Sequence, residues 1–420
     1  MSRKKIENMQ KEFTKPQLTR WEQGKKRQRL IIWSVVGLIL VVILGLVGVF
    51  IWKEVAPIYK TIIEVNGQKI KMSQYVSTLK VFLKDVSEEY YSSYASYTKS
   101  VLEQSEIIRQ GAAEYNINVT DDEVTAQLTD SGLEKGYAPL MQAQMLTDKL
   151  KEEYFKLDLE KTAAQKNIEV MFLESETQAA EIRARIEAGE SFNDLAEANS
   201  LDSYSKNNKG EIGWHVREAF SELLGSSVPG DYAFAESTQN GQLSQPRPES
   251  EKSKQVGYWL ISLIEKGTGD LEGQVNVRAM LLGSEEEATR IRTDIIENGA
   301  DFFTIANEKS QYDSGGKNGG LIGFINKGMM SSFFDEAAFA LEVGEISLPV
   351  KDTTQFTTGG AWLIKVLESD VEKEISSDDM TILVDKLFEV WFLQKQAEAV
   401  LIDHLDSESQ AWAIRKATGK

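Results

Sequence analysis

The longest uninterrupted run of apolar residues lies near the start of the chain. Residues 30–52, LIIWSVVGLILVVILGLVGVFIW, contain no charge, and Arg29 and Lys53 bracket them. A helix of this length crosses the roughly 30 Å core of a bilayer, and Trp33 and Trp52 suit its two interfaces. The run is longer than the apolar part of a cleaved signal peptide, so it predicts one transmembrane helix.

Farther along, one pattern of apolar and polar positions occurs twice. Residues 170–200 and 279–310 each predict a short strand, a capped amphipathic helix, a glycine stop and a second short helix. The matched positions on the first helix are Ala179, Ile182 and Ile186 in one copy and Ala288, Ile291 and Ile295 in the other. The second helices match at Phe192, Leu195 and Ala196 and at Phe302, Ile305 and Ala306.

The two copies diverge after this point and then match again. GYWLISLIE, residues 257–265, corresponds to GAWLIKVLE, residues 360–368, and the first copy carries seven extra residues between about 215 and 241. Each copy predicts the order strand, helix, helix, strand, helix, strand in about 100 residues. Units of this size hold their own core, so we expect tandem domains, with GTGDLEGQ (267–274) as the linker.

The remaining segments are predicted to be mainly helical. Residues 65–80 predict a hairpin followed by a helix capped by Ser73, and residues 101–124 predict an amphipathic helix and a second start capped by Thr120. Residues 378–405 predict one helix whose apolar stripe contains Leu383, Leu387, Val390, Ala397 and Leu401.

Charge predicts the orientation of the chain in the membrane. Residues 1–29 carry a net charge of +7 and the whole chain −18, which leaves −25 for residues 30–420. The basic tail should therefore stay in the cytoplasm, with the acidic part outside. So acidic a region does not favour nucleic-acid binding.

Composition also limits the chemistry. The chain has no Cys, which excludes disulfides and thiolate catalysis, and only two His, His215 and His404. We find no common nucleotide, metalloprotease or hydrolase motif, and we expect neither a metal nor a cofactor.

Each repeat resembles a parvulin-type (PpiC-type) peptidyl-prolyl cis-trans isomerase domain. The stretch NGGLIGFINKGMMSSFFDEAAFALEVGEISLPV, residues 318–350, follows the family pattern of a Gly-Gly turn, an apolar helix and a GxxS-P turn. The segments before and after the repeats resemble SurA- and PrsA-like foldases, and the anchor resembles that of PpiD-like proteins.

The resemblance implies an α+β protein with antiparallel sheets of the FKBP-like superfold. It assigns 1–29 to a cytoplasmic tail, 30–52 to the membrane, 57–165 to a helical chaperone domain, 166–267 and 275–370 to the parvulin-like domains, and 374–406 to a C-terminal helix that returns to the helical domain.

The resemblance also places a proline pocket in each domain. Its apolar positions fall on Ile322, Met330 and Phe334 in the second domain and on Ile212, Phe220 and Leu224 in the first. Plain core packing would explain the same residue types. In both domains the apolar part of the family pocket is retained.

The polar part of the family pocket is largely replaced. The first-strand His falls on Met171 and Met280, the last-strand His on Trp259 and Trp362, and the Cys-or-Asp position on Asp202 and Tyr312. Asp202 is the one catalytic candidate, and a cap or turn Asp is the alternative interpretation. Met and Trp cannot replace a pair of imidazoles.

Three functional hypotheses follow. The first is a membrane-anchored prolyl isomerase that acts on exported or unfolded polypeptides, since uncatalysed isomerisation takes tens of seconds. The second is an ATP-independent holdase that uses both domains for binding only. The third is a scaffold for a membrane partner. A further candidate for client binding is the tyrosine face Tyr90, Tyr94 and Tyr97, for which helix packing is the alternative.

Overall fold

The computed structural model describes residues 38–312 and 318–419. They form two compact units: residues up to 154 with residues from 388 onward, and residues 155–387. Helices and antiparallel sheets are both present, as the α+β prediction requires.

The described part of the apolar run is one helix, α1 (Leu38–Tyr59). Among the described residues it is the single helix long and apolar enough to cross a membrane, with a mean hydropathy of 2.4 and no burial in its most apolar window. The helix continues past the predicted end at residue 52. The tail 1–29 and residues 30–37 lie outside the described residues.

The first unit begins with a hairpin whose turn, Asn66-Gly67, has φ values of 50° and 82°. Thr120 caps its helix as predicted, in a reciprocal capping box with Glu123. Ser73 does not cap, because the second strand runs directly into a helix that already begins at Met72. The elements are β1 (Thr61–Val65), β2 (Gln68–Lys71), α2 (Met72–Phe82), α3 (Tyr91–Glu114), α4 (Asp121–Asp130) and α5 (Ala138–Leu150).

The second unit contains both repeats. The first repeat supplies α6 (Lys156–Asp158), β3 (Thr162–Leu173), α7 (Glu176–Glu187), α8 (Phe192–Asn199), α9 (Ser203–Asn207), β4 (Glu211–His215), α10 (Arg217–Leu224), α11 (Val228–Ala233), β5 (Arg247–Lys254) and β6 (Gly257–Lys266). The second supplies β7 (Val275–Leu282), α12 (Glu285–Asn298), α13 (Phe302–Lys309), β8 (Leu321–Ile325), α14 (Ser332–Ala340), β9 (Val350–Asp352) and β10 (Thr357–Glu374).

The last strands of the two repeats are exchanged. One sheet has the order β4-β3-β10-β5 and the other β8-β7-β6-β9. The strand that ends each repeat therefore pairs with the first strand of the other repeat. The predicted linker 267–274 is instead the loop of a hairpin in which Lys266 pairs with Val275.

This exchange makes one domain continuous in sequence and the other discontinuous. We call residues 257–352 the nested domain, because they lie between the two parts of the split domain, residues 162–254 and 357–374. Each sheet has a buried cluster on both faces.

Cross-strand charges favour the exchanged pairing. In the structure Lys365 lies opposite Glu169, with Nζ 3.3 Å from the carboxylate, and Ser262 lies opposite Arg278. The alternative pairing, within each repeat, would put Lys365 opposite Arg278. Like charges directly opposite destabilise a strand pair, whereas opposite charges stabilise it.

A buried lysine lies where the chain crosses between the sheets. The Lys254 Nζ atom donates to the backbone oxygens of Glu174, Thr358 and Gly359. Burial lowers the pKa of Lys254 to about 8, although the carboxylates of Glu174 and Glu287 oppose this shift. Glu174 also accepts a hydrogen bond of 2.8 Å from the Tyr258 hydroxyl, so the crossing is held by polar contacts.

The chain then returns to the first unit, as predicted. The C-terminal elements are α15 (Ser377–Glu398), β11 (Leu401–Asp403) and α16 (Ser407–Thr418). The Trp391 ring packs on α3 at Gly111, where a Cβ would come within 2.5 Å of it. The predicted helix 378–405 is too long: it ends at Glu398, and Leu401 instead starts a strand that pairs with Val65 of β1.

Candidate functional site

The predicted pocket residues of the nested domain come together around Trp259. Phe334 packs edge-on against the Trp259 ring at 5.0 Å between centroids, and Tyr312 does so at 4.9 Å. Ile322 and Met330 are half-buried beside them. These residues form one apolar cluster at the position predicted for the pocket, in which Trp259 and Phe334 are fully buried behind the half-buried side chains.

A buried carboxylate holds Trp259 in place. The Trp259 Nε1–H donates to Asp352 at 3.1 Å, Ser331 donates to the same oxygen, and Thr354 N–H donates to the other at 2.9 Å. Burial opposes ionisation of Asp352, but these hydrogen bonds outweigh it and lower its pKa. The indole therefore packs against a charged group that cannot itself reach a ligand, since Asp352 is fully buried.

In the split domain the predicted pocket residues Ile212, Phe220 and Leu224 form a matching cluster, and all three are buried. Because of the strand exchange, its tryptophan is Trp362 and not Trp259. Trp362 contacts Phe172 at 4.9 Å between ring centroids. Each pocket thus receives its tryptophan from the other repeat.

A lysine fills the polar side of the split-domain pocket. The Lys252 amino group donates to the Leu224 backbone oxygen at 2.6 Å and lies 3.0 Å from the Asp202 carboxylate. It also lies over the rings of Trp362 and Phe172, at 5.5 and 5.7 Å. Both members of the ion pair are nearly buried, so the protein itself occupies this part of the pocket.

Asp202, the predicted catalytic candidate, has two contacts that explain it without catalysis. Its Oδ1 accepts the Ser205 N–H at 2.7 Å as the cap of α9, and its Oδ2 pairs with Lys252. These contacts favour the cap interpretation. A carboxylate already committed to two partners is poorly placed to act on a substrate.

His215 lies at the edge of the split-domain pocket, and sequence reasoning did not assign it. Its Nδ1 is 2.6 Å from Asp379 and its Nε2 is 3.1 Å from the Ile212 backbone oxygen, and its ring meets Phe220 edge-on at 5.6 Å. Both ring nitrogens are occupied by protein acceptors. His215 thus ties the start of α15 to this pocket.

Two predicted positions lie on the opposite face of their sheets. Met171 and Met280 pack against the paired helices α7–α8 and α12–α13. The neighbouring residues Phe172 and Leu281 face the pockets instead. Since side chains alternate along a strand, the predicted positions are one residue out of phase with the pocket face.

The two domains also differ in their outer surfaces. The nested domain exposes many large apolar side chains, whereas Val371 is the one such side chain among the described residues of the split domain. Those of the nested domain include Phe303, Leu321, Met329, Phe333, Val343 and Leu348. Exposed apolar side chains in such number are a candidate binding surface.

Comparison with known proteins agrees with this architecture. Residues 160–265 and 282–366 match the family described as Rotamase: PPIC-type PPIASE domain. The chain is 26% identical over 282 residues to a "Chaperone SurA" of Chromohalobacter salexigens, covering 64% of this chain and 58% of that protein. It is 30% identical over 183 residues to a "Parvulin-like PPIase" of Rickettsia felis, covering 41% and 63%. A "Foldase protein PrsA" of Oceanobacillus iheyensis is 34% identical over 124 residues, covering 27% and 40%.

Each of the two repeats thus matches the PpiC-type parvulin family model, and the chain is similar to SurA- and PrsA-like proteins. It spans 58%, 63% and 40% of the length of these three relatives. The first family match ends in β6 and the second in β10, so each match covers one repeat in sequence order. Each sheet, by contrast, contains strands from both repeats.

Sequence reasoning missed four residues that shape the pockets: Lys252, Phe172, Asp352 and His215. One signal was available, because Glu249 and Asp352 occupy matching places in the two repeats and have Ser226 and Ser331 as partners. A carboxylate that occurs at the same position of both repeats indicates the same structural role in each domain. The burial of Lys252 has no comparable signal in the sequence.

Proposed function

We propose that this chain is a membrane-anchored foldase of the prolyl isomerase class, with its folded units outside the cytoplasm, where it binds prolyl segments of exported polypeptides. α1 serves as the anchor, and the basic tail keeps the N-terminus inside. The observation that carries the proposal is the aromatic pocket of the nested domain. Its half-buried members Ile322, Met330 and Tyr312 and its buried members Trp259 and Phe334 all carry uncharged side chains.

Binding in this pocket should be weak. A prolyl ring and its neighbours bury roughly 100 Å² of apolar surface, which at 25 cal/mol per Å² is about 2.5 kcal/mol before ordering costs. Low affinity at each site suits a chaperone that makes several contacts with one client. The exposed apolar side chains around the nested domain would supply the other contacts.

An ATP-independent holdase is the second candidate, and a specific observation favours it. Isomerisation requires selective stabilisation of a twisted amide, whose barrier is about 18–20 kcal/mol. The nested domain has no His, and Trp259, Tyr312 and Leu281 occupy the pocket face where polar groups would act. This pocket can hold a proline but offers few groups that favour the transition state.

One experiment separates the two candidates. The full chain in detergent is mixed with a short Ala-Pro peptide, and cis-trans exchange is followed by NMR. Line broadening with accelerated exchange supports the isomerase, and broadening without acceleration supports the holdase. If the peptide neither binds nor exchanges faster, the pocket proposal is wrong.

The anchor needs a separate test. Protease added outside spheroplasts should degrade residues 60–420 and spare the first 29. An ectodomain that survives until the membrane is dissolved would contradict the proposed orientation.

A further inference from the structure

The C-terminal helix α16 runs back along the end of α1. In its first turn, Asp406 and Ser409 contact the Lys60 amino group at 3.2 and 2.9 Å. In its last turn, Lys416 pairs with Glu54 at 2.7 Å. Because Glu54 lies within α1 and Lys60 directly follows its end, the two helices are antiparallel and the C-terminal end of α16 lies nearest the apolar run.

The two helices are fastened between these points by a buried side chain. The Trp412 indole N–H donates to the Lys53 backbone oxygen at 3.0 Å, and Trp412 is part of the core of the first unit. Lys53 is the first charge after the 23 uncharged residues. The contact therefore fixes α16 at the boundary between the apolar segment and the folded unit.

A cavity of about 680 Å³ opens at this boundary. Its lining includes Trp52, Lys53, Lys60, Glu408, Trp412 and Arg415. Trp52 is 77% exposed, as expected of an aromatic ring that sits among lipid headgroups. With α1 as the proposed anchor, a cavity at this level would face the zone where lipid phosphates lie.

The charges of the cavity fall into paired and unpaired sets. Lys60 pairs with Asp406, and Glu54 with Lys416. Among the described residues, Lys53 and Arg415 have no carboxylate within salt-bridge distance, and Glu408 has no cation. Lys53 and Arg415 are attracted at longer range to the Glu54 carboxylate, so the cavity lining holds two cations and one carboxylate that form no salt bridge among the described residues.

We propose that this cavity binds the headgroup of a zwitterionic aminophospholipid. Arg415 and Lys53 would hold the phosphate, since guanidinium and ammonium groups donate strong hydrogen bonds to phosphate oxygens. Glu408 would receive the headgroup ammonium. The acyl chains would lie along the exposed apolar surface of α1, next to Phe50 and Trp52. The proposal rests on the membrane anchoring of the proposed function.

The test uses the full chain, purified in a non-ionic detergent and stripped of lipid. Phosphatidylethanolamine is added, and retained lipid is counted by native mass spectrometry. The wild type should retain about one molecule per chain, and Lys53→Gln/Arg415→Gln should retain at least fivefold less. The matched control Lys71→Gln/Lys80→Gln removes two exposed lysines of the same unit and should retain lipid like the wild type.

Further arms identify the ligand. Glu408→Gln should lower the preference for phosphatidylethanolamine over phosphatidylglycerol, and a diglycosyl lipid without phosphate should not be retained. Equal retention by both double variants, retention of the phosphate-free lipid, or full displacement by millimolar inorganic phosphate would each overturn the proposal. Alkaline extraction of membranes is run in parallel: loss of the wild type from the membrane contradicts the anchor, whereas a retained anchor with unselective lipid binding contradicts only this site.

Discussion

The split and nested domains share one fold and differ in what fills their pockets. In the split domain, Lys252 lies across the tryptophan and is neutralised by Asp202. In the nested domain, the matching tryptophan is bordered by Tyr312, Met330 and Phe334, and its polar partner Asp352 lies buried behind it. The predicted pocket of the split domain is thus filled by the protein's own charged groups, whereas that of the nested domain is bordered by half-buried apolar side chains.

This difference shows how a repeated fold can divide its roles. The split domain has its pocket closed by an ion pair and joined to α15 through His215 and Asp379, so its contacts serve the architecture. The nested domain keeps the apolar residues predicted for a proline pocket, and it holds most of the exposed large apolar side chains found in these two domains. Binding is therefore expected mainly in the nested domain.

The largest expected effect tests the exchange on which the two domains are defined. The chain has no Cys, so any disulfide that forms must come from the two engineered cysteines. Glu265 lies opposite Asn276 in the exchanged sheet, whereas pairing within the repeat would put it opposite the equivalent Asn167. Glu265→Cys/Asn276→Cys should cross-link almost completely on mild oxidation, and Glu265→Cys/Asn167→Cys should not. The reverse result would show that each repeat keeps its own last strand.

Much of this architecture could be predicted from the sequence, because local patterns determine local structure. The repeat and the helix start at Thr120 follow from periodicity and caps over fewer than 40 residues, and the resemblance to the parvulin family placed the apolar pocket positions. The exchange could not be predicted so directly. Residues 257–265 and 360–368 have nearly the same apolar pattern, and either fits either sheet. The choice depends on single charges such as Lys365, Glu169 and Arg278, whose partners become visible only in the paired strands.

The second effect concerns the crossing between the domains. The pKa of Lys254 is about 8 in the folded chain and near 10.4 when unfolded. Between these values the unfolded chain binds more protons, so the free energy of unfolding should rise with pH. From pH 7.5 to 9.5 the gain is about 2 kcal/mol.

Urea unfolding across this window measures the gain. Lys254→Met keeps the size and removes the charge, so it should abolish the rise, while the exposed control Lys309→Met should keep it. The raised pKa of Tyr258 has the opposite sign but titrates above the window. A wild type whose stability does not change with pH would show that Lys254 is not held in a low-polarity crossing.

The third effect sharpens the contrast between the pockets. Phe334→Ala would be a poor probe, since a fully buried Phe costs about 3–5 kcal/mol when truncated. Met330 is half-buried and lines the pocket beside Tyr312, so Met330→Ala should weaken prolyl-peptide binding about fivefold and leave the fold intact. Val371→Ala, at an exposed apolar side chain of the split domain, is the control and should bind like the wild type. Equal binding by both variants, measured by NMR titration, would remove the nested pocket as the binding site.

The smallest effect tests why the strands exchange, and it uses one substitution in two settings. In the full chain Lys365 pairs with Glu169, which is only 9% exposed, so Lys365→Ser should destabilise by about 1 kcal/mol. In a fragment of residues 274–371 the same strand can pair only with β7, which places Lys365 opposite Arg278. There Lys365→Ser removes a like-charge contact and should stabilise by a similar or smaller amount, about 0.5 kcal/mol. Urea unfolding of the full chain and of the fragment measures whether Lys365→Ser raises or lowers the free energy of unfolding in each. The control is Lys351→Ser, at an exposed lysine outside this strand pair. If the substitution shifts stability in the same direction in both settings, cross-strand charge does not select the exchanged pairing.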